Sequence, residues 1–308
     1  MADTMGLALA YPKLKKLYLQ RLDWQKKQLE NVDYLFDRYL RIQQSIATMQ
    51  AELQDLKSVF KLHFELGGEP LIAETGEMMG LTPEYIKAIT ADETIMKVMD
   101  IFAYHSYHDD NNPHIRLEFK KEIVEKYPQF RFDMSEWCEL PNKSHTKNFK
   151  GALITARIIG QDLIYAGAES WTSWVAVNQF SIKEDGNDYS DATITATNDF
   201  SDWYVARRYW GFAHFAKYIP VDSVCLDNGF FPDESNDFNA FSFLTPSGET
   251  VTVVVNEGEE REFTIDGSFA QIKIIQSVDE DYLNEIYNGE FKETITVKQN
   301  SILTVIMK

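Results

Sequence analysis

Apolar residues recur every three or four positions from Val32 to Phe60, through Leu35, Tyr39, Ile42, Ile46, Met49, Leu53 and Leu56. No glycine or proline interrupts residues 13–66. This spacing predicts one long helix or a helical hairpin with a continuous apolar seam, stopped at Gly67-Gly68. Leu14, Leu17, Leu22 and Leu29 extend an apolar face upstream less regularly. Such a seam either packs within its own domain or self-associates as a coiled coil.

From Pro70 the pattern changes to alternating strand and helix. Strands are expected at Leu71–Glu74, Val98–His105, Phe130–Ser135 and Ala168–Val177, and helices at Pro83–Val98, Ile115–Lys126 and Phe149–Tyr165. Alternation of this kind implies βα units with a parallel sheet, whose chemistry sits on the loops after the strands. Beyond Phe238 the helical pattern stops. Short strands are expected at Phe241–Leu244, Thr250–Asn256, Arg261–Ile265, Ala270–Ile275, Glu293–Val297 and Ser301–Ile306, parted by turns such as Pro246-Ser-Gly248 and Asp266-Gly267. The expected fold is α/β plus all-β. A helical segment (1–68) precedes a partial, four-unit TIM-type β/α barrel (69–221), and an antiparallel β-sandwich (222–308) follows.

The chain's 308 residues, 44% hydrophobic and 13% aromatic, can build a large domain or two with proper cores. A formal net charge of −18 argues against a surface that tracks nucleic-acid phosphates or anionic lipid. The cysteines, Cys138 and Cys225, are too few for a disulfide scaffold or a cysteine metal site, and no cofactor is expected. His105, His108, Asp109, Asp110 and His114 lie together in sequence but read as a solvated turn before a ligand set. No run is long and apolar enough to span a bilayer. The first ten residues lack the basic n-region of a signal peptide, so no export address is expected.

The ends of the four expected parallel strands share a chemical character. The first ends at Glu74 with Glu77 beyond it, and the second at Tyr104-His105-Ser106-Tyr107. The third presents Glu136 and Trp137, and the fourth carries Trp171, Trp174 and Asn178. Rings stack on the apolar faces of pyranoses while His, Asn and Glu bond their hydroxyls, so the combination suits a sugar-binding mouth. Taken singly, Glu136 also reads as a solvated strand edge, the tryptophans as core fillers and His105 as a structural histidine.

Here the chain resembles glycoside hydrolase family 30, from about Pro70 to its end. Ile101-Phe-Ala-Tyr-His-Ser-Tyr107 is similar to the family's sixth barrel strand, and Met134-Ser-Glu-Trp-Cys138 to the Ser/Thr-Glu-x-Cys segment ending the seventh. Ala168–Asn178 is similar to the eighth strand, Tyr209–Pro220 to the segment before the sandwich, and Pro246–Asn256 to a strand within it. The resemblance implies a retaining glycosidase acting on a carbohydrate substrate. Glu136 would be the nucleophile, His105 and Tyr107 would border it, and Trp137, Trp171, Trp174 and Asn178 would lie on the sugar side. The resemblance also implies a secreted or lysosomal setting.

The chain departs from the family at the general acid. Relatives carry it in an Asn-Glu-Pro-like segment after the fourth strand, and no Asn-Glu-Pro occurs here. Gly68-Glu69-Pro70 directly precedes the strand resembling the fifth and would sit at the wrong end of a barrel. Glu74 is the substitute acid that remains. By this comparison only units five to eight are present, and four strands cannot close a barrel that needs eight. The N-terminal helices are expected to cover the open face. Pairing of half-barrels, or of the heptad helix 32–60, offers a route to homo-oligomers. The other outcome is a non-catalytic carbohydrate-binding or assembly protein derived from a glycosidase.

Overall fold

The computed structural model describes residues 71–74, 86–87, 89–91, 96, 99–107, 111–139 and 146–308. The heptad helix 32–60, the Gly67–Pro70 junction, Glu77 and the His108–Asp110 cluster lie outside the described residues. The chain divides into two compact units, Met1–His105 with Lys121–Asp133, and Ser106–Lys120 with Met134–Lys308.

In the first unit, strand β1 (Leu71–Glu74) pairs in parallel with β2 (Met99–His105), Ile72 facing Ile101 and Glu74 facing Ala103. β2 is buried without a break from Phe102 to His105, as expected of a strand covered on both faces. Phe102 meets Phe130 edge-on at 5.0 Å and stacks on Phe132 at 5.8 Å. The helix expected at Pro83–Val98 is shorter: Ile86, Lys87, Ile89 and Thr90 are helical and Ala91 is already a turn. The Thr90 hydroxyl donates to the Ile86 carbonyl at 2.9 Å, a local bond by which threonine competes with helix propagation.

Strand β3 (Arg131–Trp137) runs from the first unit into the second, and the sheet order is β1-β2-β3-β4, with β4 at Ser170–Ser173. Among the described residues these strands do not close into a barrel. In the second unit helix α1 (Pro113–Glu122) starts where Asn112 Oδ1 accepts the His114 N–H at 3.1 Å, with Pro113 in the first turn. Helix α2 (Lys150–Ile164) is buried almost all round from Gly151 to Asp162, so it shows no clean polar face.

The fourth strand stops short of its expected end. Trp174 N–H still donates to the Trp137 carbonyl at 2.9 Å, and the Trp174–Val175 peptide is cis. The chain then enters a separate three-stranded sheet of β5 (Val177–Gln179), β6 (Ile194–Ala196) and β7 (Trp203–Val205). Helix α3 (Arg208–Ala216) follows.

The C-terminal part is a six-stranded antiparallel sheet with a two-stranded sheet packed on one face. Its order is β13-β12-β15-β10-β9-β8, built from β8 (Val224–Leu226), β9 (Phe238–Leu244), β10 (Thr250–Asn256), β12 (Gln271–Val278), β13 (Asp281–Glu290) and β15 (Ser301–Met307). The short sheet pairs β11 (Arg261–Thr264) with β14 (Thr294–Val297). In β10 alternate residues face opposite layers. Val253 and Val255 join Phe241, Phe243 and Ile302 against Ala152, Leu153, Ala156 and Ile159 of α2. Val254 joins Ala240 and Leu303 against Ile295 and Val297. The apolar run Val253-Val-Val255 therefore marks a strand buried on both faces.

His214 of α3 is buried between Thr304 Oγ1 (2.6 Å from Nδ1) and Ser277 Oγ (2.8 Å from Nε2). Burial first, and Lys217 second, push its imidazole down to about 3 from the ordinary histidine value, so the ring is neutral in the folded state. The unfolded chain binds this proton at higher pH than the folded one does. The stabilising contribution is thus complete above about pH 6.5 and is lost as pH falls toward 3. Each pH unit in that window should cost about 1.4 kcal/mol through this group. Urea denaturation of wild type and His214→Gln between pH 7 and 4 checks this: the variant's stability should depend less steeply on pH, and equal slopes would refute it.

Candidate active site

Alternation along β3 places Glu136 on the same face as the buried Phe132 and Met134, at the strand's C-terminal end. The strand thus carries a carboxylate to the tip of an apolar stripe, where Glu136 is only partly exposed. Tyr107, two residues beyond β2, donates its hydroxyl to Glu136 Oε1 at 3.3 Å, and that hydroxyl also lies 3.7 Å from Cys138 Sγ. Burial, then Cys138 and Glu136, hold the Tyr107 phenol far above its ordinary range, so it stays protonated. Burial also pushes the Cys138 thiol up to about 11. Of the residues expected at the site, Tyr107 and Glu136 are in direct contact.

Trp137, expected on the sugar side, is 2% exposed, with its ring 6.1 Å from that of Trp171, and packs inside the protein. Trp171 is half-buried; its ring also meets Phe212 at 6.0 Å, and its indole N–H donates to Asp162 Oδ2 at 3.0 Å. Trp174 does present its ring to solvent, being 47% exposed. Asn178 lies on β5, outside the four-stranded sheet, and donates to Asp191 Oδ1 at 2.7 Å. His105 ends β2 as a buried residue of the first unit, and Glu74 ends β1, its side chain outside the described residues.

A support the sequence reading missed stands behind these residues. The fully buried carboxylate of Asp162, on α2, accepts from Arg116 Nε at 2.7 Å and Ser106 Oγ at 2.8 Å, besides the Trp171 indole. One acid thus ties together α1, the segment leading to Tyr107 and the strand carrying Trp171. The signal was the polar pair Gln161-Asp162 following the apolar Ile158-Ile-Gly160 in the helix, since a charge is buried only when paired. Farther along, the buried Arg208 and the partly exposed Glu139 form a longer ion pair at 3.9 Å.

Among the described residues no group of three or more His, Cys, Asp or Glu is placed to hold a metal ion. No described helix is long and apolar enough to cross a membrane.

Residues 225–305 match the family described as Glycosyl hydrolase family 30 beta sandwich domain. No curated protein matches the whole sequence significantly. Solved structures do match in fold. A conserved exported protein from Bacteroides fragilis aligns at TM-score 0.63 and 20% identity, over 85% of this chain and 59% of its own. A GH30 endoxylanase from Clostridium papyrosolvens gives 0.58 and 14%, over 78% and 56%. The catalytic domain of GH30 xylanase C from Talaromyces cellulolyticus gives 0.60 and 13%, over 84% and 57%. The chain spans less than two thirds of the length of each of these structures. Residues 225–305 are thus similar to a family 30 β-sandwich domain, and most of the chain is similar in fold to two family 30 xylanases.

Proposed function

We propose that this chain is a retaining glycoside hydrolase of the family 30 type acting on β-linked glycans or glycosides, with Glu136 as nucleophile. The four-stranded sheet is read as barrel units five to eight. The observation that carries the proposal is the Tyr107 hydroxyl donating to Glu136 Oε1 at the C-terminal end of β3. A nucleophilic carboxylate must be ionised and aimed, and a donor that keeps its own proton serves both needs. Glu136 would attack the anomeric carbon, forming an ester as the bond to the leaving oxygen breaks, and water would then hydrolyse that ester. Trp174 offers the exposed ring for the sugar face.

The leaving oxygen needs a proton from a second carboxyl group about 5–5.5 Å from the first. Glu74 is the residue proposed for it; the Asn-Glu-Pro segment of relatives is not found in this sequence. General acid help contributes about 10²–10⁴-fold, so glycosides with activated leaving groups should react far better than natural ones. The test is trapping with a dinitrophenyl 2-deoxy-2-fluoro-β-glycoside, read by intact mass and peptide mapping. The adduct should sit on Glu136, be absent in Glu136→Gln and form normally in Glu74→Gln, whose loss should show only on natural substrates. An adduct elsewhere, or unchanged labelling of Glu136→Gln, sinks the nucleophile assignment.

The exposed Trp174 favours a second reading, a carbohydrate-binding protein without turnover. Calorimetric titration with β-linked glucose oligomers showing binding, together with no covalent adduct, would select it. Light scattering of the full chain tests the proposed homo-oligomer.

A further inference from the structure

The geometry points to Cys138 as a positioning residue for Glu136, acting through Tyr107 as the first donor of a thiol–phenol–carboxylate chain. This rests on the reading of Glu136 as nucleophile for its consequence, though not for its geometry. Tyr107 has one hydroxyl proton, and that proton points to Glu136 Oε1. Its oxygen can then only accept from the sulfur 3.7 Å away, so the Cys138 S–H is the donor in that contact. The thiol has a proton to give: burial, the largest influence, pushes it up to about 11, although the hydrogen bond with Tyr107 acts the other way. Cys138 is 4% exposed and Tyr107 8%, so water has little access to replace either bond.

The arrangement has a mechanical use. Glu136 is the penultimate residue of β3 and Cys138 the first residue beyond it, and the Tyr107 hydroxyl lies within reach of both. A hydroxyl bonded to both is clamped over the carboxylate from the same segment that carries it. A bond that strengthens as its neighbour polarises makes the Tyr107 proton a better donor toward a full negative charge. Cys138 would therefore affect the rate of attack by Glu136 without touching the substrate.

The test uses the full-length protein and two independent readouts. In the infrared, the S–H stretch that vanishes in Cys138→Ser identifies this thiol. It should move to higher wavenumber in folded Tyr107→Phe, where its acceptor is gone. An unmoved band overturns the proposal, whether or not the protein is a glycosidase. Where Tyr107→Phe does not fold, the wild-type Cys138 band is compared with that of a small alkyl thiol in an apolar solvent, since the Cys225 thiol itself donates to the Leu163 carbonyl; a frequency no lower than the unbonded thiol's is the same refutation. In fluoroglycoside trapping, Cys138→Ala should slow labelling of Glu136 about fivefold, the rate equivalent of about 1 kcal/mol for one hydrogen bond. Cys138→Ser, which restores an O–H donor, should recover most of that rate. Equal rates in both variants overturn the role. Absence of any adduct in wild type refutes the nucleophile reading, and the infrared result still decides the contact.

Discussion

Asp162→Ala should destabilise the protein by about 3–5 kcal/mol, the range for removing one partner of a buried ion pair. The Arg116 side chain is 1% exposed, and its guanidinium would lose the carboxylate 2.7 Å from Nε. The Ser106 hydroxyl and the Trp171 indole N–H would lose their acceptor at the same time. Asp162→Asn should be nearly as damaging: it keeps the volume but removes the charge and brings an N–H₂ toward three donors. Replacing both charges, Asp162→Leu with Arg116→Met, should recover most of the loss, because two buried charges cost about as much to desolvate as their attraction returns. Urea denaturation midpoints at constant slope measure all of these. A loss below 1 kcal/mol for Asp162→Ala would show that the network does not hold the strand ends together.

Gly211→Ala should lower stability by several kcal/mol although alanine is the better helix former. A Cβ at Gly211 would stand 2.1 Å from the backbone carbonyl oxygen of Ala152 and 3.0 Å from its carbon. No rotamer relieves a clash with backbone, so α3 must move away from α2. Helix propensity would contribute about 1 kcal/mol in favour of alanine. Overpacking typically costs about 1–3 kcal/mol, and more when backbone must shift. Gly160 makes a useful contrast. A Cβ there would stand 2.1 Å from the ring of Phe241, a side chain that a smaller residue can replace. Gly160→Ala should thus be partly rescued by Phe241→Leu, whereas no side-chain change at Ala152 can rescue Gly211→Ala. A thermal midpoint for Gly211→Ala at or above wild type would contradict the close packing of these helices.

The legible parts of the fold were those with a strong local period. β10 and β15 are runs of branched apolar residues and were found within one residue of their ends. β13 was missed. It pairs on one side only, is mostly exposed, and its sequence Asp-Tyr-Leu-Asn-Glu-Ile-Tyr-Asn-Gly-Glu has no clean alternation because neither face is fully covered. The β5-β6-β7 sheet was missed because strands of three residues carry no measurable period.

That Glu136 lies at the end of a strand was legible because alternation closing on an acid can be recognised locally. What surrounds its neighbours was not. Trp137 and Trp171 were expected on the sugar side; Trp137 is buried, and the half-buried Trp171 donates its indole N–H to Asp162. Whether an indole faces solvent depends on what packs over it, which a residue's neighbours in sequence do not state.

The sequence alone thus determined the strongly periodic strands of the C-terminal sheets and the acid at the end of β3, because each follows from side-chain period and turn chemistry within a few residues. Tertiary structure decided that Tyr107 meets Glu136 across 29 positions of sequence and Asp162 meets Arg116 across 46. Those pairings exist only once sheet register and helix packing bring distant atoms within bonding distance. Burial then gives each bond a strength it would lack in water.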